Sequence, residues 1–78
     1  MLKKDKEKER FLIEFGQHLR KIRKQKGISL RELELRGDFD RQLISKIELG
    51  QKNVGIFTLK KLCTYLEIEF KDLFENFE

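Results

Sequence analysis

Along residues 5–26, Phe11, Leu12, Phe15, Leu19 and Ile22 recur at steps of three and four. That spacing gathers side chains on one face of an α-helix. Lys and Arg take most of the other faces, and Gly27 follows a basic last turn, where a helix end is expected. A second helix opens at Ser29, which forms a capping box with Glu32 three residues on. Leu30, Leu33 and Leu35 continue it, and Arg36, Gly37 and Asp38 break it after about two turns, giving a helix over about 30–36. Asp40 is the next N-cap. Leu43, Ile44 and Ile47 supply the apolar face of a third helix, about 41–49, that stops at Gly50. Residues 51–55 read as a polar loop. Ile56, Leu59, Leu62, Cys63 and Leu66 mark a fourth helix, and Phe70, Leu73, Phe74 and Phe77 a fifth.

Five short helices with short connections predict an all-α, compact five-helix domain. No helix this short holds itself together in water, so the apolar faces must pack on one another. With 78 residues the chain has room for one domain and none for a separate catalytic or ligand-binding unit. Residues 11–76 form the predicted domain, and residues 1–10 a charged extension of the first helix.

Charge changes this picture because it is unevenly spread. Residues 1–26 hold ten Lys/Arg and four acids, net +6; residues 27–52 hold five of each; residues 53–78 hold three Lys and five acids, net −2. A basic first third and an acidic end orient a domain toward a polyanion, although a solvated charged helix gives the same composition. The lone Cys63 excludes a disulfide framework within one chain, and a reducing cytoplasmic location fits it. No apolar run approaches the ~20 residues needed to span a bilayer, so no membrane partner is expected. There is no Cys/His pair, paired-acid site, phosphate loop or metal spacing, which argues against an enzyme, a metal or a cofactor.

The informative spacing lies in the second and third helices. A short helix, a turn of three or four residues and a new helix make a helix-turn-helix, whose second helix can enter the DNA major groove. With Leu43, Ile44 and Ile47 turned to the core, Arg41, Gln42, Ser45 and Lys46 are left outward. Arg donates two bonds to guanine and Gln pairs with adenine, so these residue types suit base readout. Taken as isolated surface residues, the same four carry no meaning.

The stretches LRKIRKQKGIS, RELELRGDFDRQLISKIELGQKN, TLKKLCTYLEI and KDLF resemble the lambda-repressor-like, Cro/C1-type helix-turn-helix family. The block ISKIELG is the most family-like, and the resemblance covers about three quarters of the chain. It implies a sequence-specific transcriptional regulator, a homodimer on a palindromic double-stranded operator, with no small-molecule effector. A second reading is a protein-interaction module such as an antitoxin, with DNA binding secondary. The resemblance assigns base contacts to Arg41, Gln42, Ser45 and Lys46. It assigns phosphate contacts to Ser29, Arg31, Lys52 and Asn53, and a structural salt bridge to Arg23 with Glu48. The chain departs from the family where Leu30 replaces a phosphate-binding Gln, Glu34 a small Ala at a helix crossing, Asp38 a turn Gly, and Val54 a Pro.

Other residues have plainer readings. His18 is expected on the surface, Cys63 buried and inert, and the acids Glu67, Glu69, Asp72 and Glu75 to keep the C-terminal surface off DNA. Lys3 to Lys8 read as a solvated helix end or a DNA-contacting arm. Phe57, Leu73 and Phe77 are candidates for a dimer interface, or else cover a small core.

Overall fold

The structure is a computed structural model that describes residues 2–37 and 39–75, with side chains from Asp5 onward. Among these residues it has four α-helices and no strand: α1 Leu2–Gln25, α2 Leu30–Arg36, α3 Arg41–Glu48 and α4 Ile56–Leu66. The predicted fifth α-helix is corrected to one 3-10 turn, Phe70–Leu73. Glu69 and Asp72 cap it reciprocally, with the Glu69 N–H donating to Asp72 Oδ2 at 2.9 Å. One turn is enough to drop Leu73 into the core, and Phe74 already leaves helical geometry at φ −117°, ψ 1°. Asp38 and Phe77 lie outside the described residues.

Local chemistry sets the element ends. At the end of α1 the Gly27 N–H donates to Lys24 O at 3.0 Å and the Ile28 N–H to Arg23 O at 3.2 Å, satisfying carbonyls that a helix end leaves unpaired. The Ser29 hydroxyl accepts the Glu32 N–H at 3.0 Å and so caps α2. The reciprocal half of the predicted capping box gives way to an ion pair. The Glu32 carboxylate turns along the helix to Arg36 Nη2 at 2.9 Å, where a charged donor makes the stronger bond. Asp40 caps α3 by accepting the Gln42 N–H at 3.1 Å.

The core gathers Phe15 and Leu19 from α1, Leu33 from α2, Ile44 and Ile47 from α3, and Leu62, Cys63 and Leu66 from α4, with Ile28 and Phe39 from the connections and Leu73 from the 3-10 turn. Several members of the predicted apolar stripes fall outside it: Phe11, Phe70 and Phe74 stay partly exposed, Ile56 stands out at the start of α4, and Leu35 is 75% exposed because α2 is too short to bury two faces. Phe39, which no periodicity singled out, is buried and meets Tyr65 edge-to-face, with ring centroids 5.7 Å apart. The turn between α2 and α3 is thereby pinned to α4.

Leu73 is fully buried, so its assignment to a dimer interface is corrected: a side chain with no exposed surface cannot meet a partner. Phe57, by contrast, is 68% exposed.

Backbone contact fixes α1 against α3. A Cβ on Gly16 would stand 2.4 Å from the Ile47 carbonyl oxygen and 2.5 Å from that of Glu48. Gly50, at φ +77°, lies so close to α1 that a Cβ there would stand 2.7 Å from Ile13 Cα.

Candidate nucleic-acid interface

The helical period divides α3 cleanly. Ile44, Ile47 and Glu48 are buried, Leu43 and Ser45 are half-buried, and Arg41, Gln42 and Lys46 are exposed. Long polar side chains are thus carried on a helix whose opposite face cannot rotate without emptying the core. Ser45 borders a shallow depression shared with Arg20 and Leu30, between the starts of α2 and the end of α1.

A buried ion pair holds that orientation. Arg23 Nε donates to Glu48 Oε2 at 2.6 Å, Nη2 to Glu48 Oε1 at 3.1 Å, and Nη1 to the Ile28 carbonyl at 2.8 Å. One guanidinium therefore joins α1, the α1–α2 connection and the last turn of α3. Both side chains are almost fully withdrawn from water, at 8% and 5% exposure. A planar fork is the side chain suited to such a two-pronged bond.

The residues assigned to phosphates occupy two places. Ser29 and Arg31 stand exposed at the start of α2, with the Ser29 hydroxyl already engaged as the cap. Lys52 and Asn53 stand exposed in the loop after α3 and border an apolar groove shared with Phe11, Leu12, Val54 and Phe74.

Two features escaped the reading of the sequence. Glu34, read against the family pattern as an intruder at a helix crossing, reaches outward instead. Its Oε2 accepts the Arg41 N–H at 3.1 Å and its Oε1 lies 3.5 Å from Arg41 Nε. The seven-residue separation left no local pattern to find. Arg36, read only as a helix breaker, donates to the Tyr65 carbonyl at 3.0 Å and lies 3.5 Å from Glu67, so it ties α2 to the end of α4. His18 is half-buried, with Nε2 3.3 Å from the Asp72 carbonyl oxygen. No group of three metal-ligating side chains occurs among the described residues, and no described helix is long and apolar enough to cross a membrane.

This arrangement, a short capped helix and a tight turn leading into a helix with a polar outer face, has a counterpart in known sequences. The Helix-turn-helix family model, of Cro/C1 type, matches residues 19–73. The chain belongs to that family. It is 37% identical over 67 residues to the control protein C.MunI of a Mycoplasma species, covering 85% of this chain and 90% of that protein. It is also 37% identical over 62 residues to the control protein C.BamHI of Bacillus amyloliquefaciens, covering 78% and 76%. Among solved structures, the restriction-modification controller protein C.AhdI from Aeromonas hydrophila superposes with a TM-score of 0.76 at 41% identity. That match spans 81% of this chain and 96% of C.AhdI. The helix-turn-helix of this family binds double-stranded DNA, and the chain is a sequence-specific DNA-binding transcriptional regulator, not an enzyme.

Proposed function

We propose that this regulator acts as a homodimer on a palindromic operator, with α3 laid in the major groove. Arg41, Gln42, Ser45 and Lys46 face base edges; Ser29, Arg31, Lys52 and Asn53 hold the phosphates that fix its register. The observation that carries this reading is the division of α3: an exposed edge of Arg41, Gln42 and Lys46 backed by Ile44, Ile47 and a buried Arg23–Glu48 pair. A readout helix must be rigid, since loose side chains pay their ordering entropy again at each binding event. Residues 11–76 form the DNA-binding domain and 1–10 its charged extension.

The likeness to three proteins named as control or controller proteins supports a regulator of restriction–modification genes; work on DNA and a lone reduced cysteine fit the cytoplasm. For the dimer contact, Ile56 and Phe57 at the start of α4 take the place of Leu73, being 72% and 68% exposed. Large apolar side chains left out together are the usual mark of a partner surface.

Selection of bound sites from random DNA tests the proposal. Two-fold symmetric sites are expected, with half-site centres about one helical turn, ~34 Å, apart. A pool that stays unselected at low salt, or one enriched in single asymmetric half-sites, would overturn it.

A further inference from the structure

We propose that Glu34 is a positioning residue for base readout, holding Arg41 so that it selects a base pair and does not collect phosphates indiscriminately. This rests on the reading of Arg41 as a base contact. Arg41 is the first residue of α3, so its N–H has no acceptor within the helix. Glu34 supplies one across the turn: Oε2 accepts that N–H at 3.1 Å, while Oε1 of the same carboxylate lies 3.5 Å from Arg41 Nε. A single side chain from α2 thus holds Arg41 at its backbone and at its guanidinium.

The consequence is electrostatic as well as geometric. A bare helix N-terminus attracts any phosphate, and an exposed Arg beside it adds to that attraction. Here two carboxylates stand at that end, Glu34 on the Arg41 N–H and Asp40 on the Gln42 N–H at 3.1 Å. The Arg41 and Gln42 amides, which would otherwise be open to a phosphate, are taken, and the local charge opposes a phosphate. With Nε turned to Glu34, the two terminal nitrogens of Arg41 remain as the parallel fork that matches guanine O6 and N7. The side chains are 56% and 36% exposed, so the pair adds little to folding and its effect falls on binding.

The test compares Glu34→Ala, Glu34→Gln, Arg41→Ala and the Glu34→Ala/Arg41→Ala double variant. Each is titrated on the selected operator, on operators changed at single base pairs and on random duplex, from 50 to 200 mM salt. Glu34→Ala is expected to tighten binding to random duplex and to lower the operator-to-random affinity ratio about tenfold. Its log–log salt slope steepens by about 0.9 as Arg41 takes up a phosphate. In the Arg41→Ala background the Glu34→Ala change leaves base discrimination where it was. Glu34→Gln keeps an acceptor but loses the charge, and binds random duplex several-fold more tightly than the wild type. Should Glu34→Ala fail to fold, that gain in Glu34→Gln carries the test, and its absence overturns the proposal. An unchanged affinity ratio and salt slope in folded Glu34→Ala overturn it too, provided Arg41→Ala loses base discrimination. If Arg41→Ala keeps its base preference, the base-contact reading itself falls.

Discussion

Replacing Glu48 by Ala removes two of the three bonds that the buried Arg23 guanidinium makes, those of 2.6 and 3.1 Å, and leaves only the 2.8 Å bond to the Ile28 carbonyl. At 8% exposure the guanidinium charge is left with neither its carboxylate nor bulk water around it. Stranding a buried charge in this way costs about 3–5 kcal/mol. A 78-residue domain at about 0.05–0.15 kcal/mol per residue has ~4–12 kcal/mol in all, so the substitution consumes a large share of its stability. An unfolding entropy of about 2.1 cal/mol/K per residue turns that loss into a fall in Tm of roughly 18–30 °C. Urea and thermal unfolding followed by far-UV circular dichroism measure it. The companion variant Arg23→Met/Glu48→Leu removes both charges and the desolvation they suffer. It is expected to recover most of the loss, short of about 1 kcal/mol for the Ile28 carbonyl left without its donor. A loss below about 1 kcal/mol in Glu48→Ala, the range of solvated surface pairs, would refute the reasoning. So would a double variant no more stable than the single one.

Arg41→Ala should relax base choice at one operator position and cost roughly 1–3 kcal/mol of specific affinity, read from titrations against operators changed at each base pair. Lys52→Ala should weaken binding to all sequences and reduce the log–log salt slope by about 0.9; an unaltered slope would remove Lys52 from the phosphate contacts. Gly16→Ala should destabilise by about 3 kcal/mol, since its Cβ meets the backbone of Ile47 and Glu48 and not a flexible side-chain end, and denaturant midpoints report it. Burial, and after it the nearby Asp72 carboxylate, push the Cys63 thiol above its ordinary 9.0. The folded state therefore binds that proton more tightly, so this stabilisation is complete below about pH 9 and is lost as pH rises through the raised value. A thiol reagent at pH 8 should label native Cys63 only as fast as the chain opens, and rapid stoichiometric labelling would contradict its burial.

What the sequence settled by itself was everything carried by short-range periodicity and capping. Ile44 and Ile47 on one side of α3 and Arg41, Gln42 and Lys46 on the other follow from a period of 3.6, and Ser29 and Asp40 mark helix starts because a side-chain oxygen must meet an unpaired N–H within three residues. The pairing of Arg23 with Glu48 needed the family resemblance, since nothing local joins residues 25 positions apart; the structure supplies the bonds and the burial. Tertiary packing alone decided the rest. Phe39 sits in a turn without periodicity and is buried because Tyr65 of α4 lies against it. Leu73 ends a single 3-10 turn inside the core, so the apolar spacing around it marked no full helix, and Leu73 itself is no part of a partner surface. Glu34 carried no short-range signal for its role, because its partner Arg41 belongs to another helix and the two meet only once the turn is folded. Helices and caps arise from neighbours within four residues along the chain; which acid guards which arginine depends on where two helices end up in space.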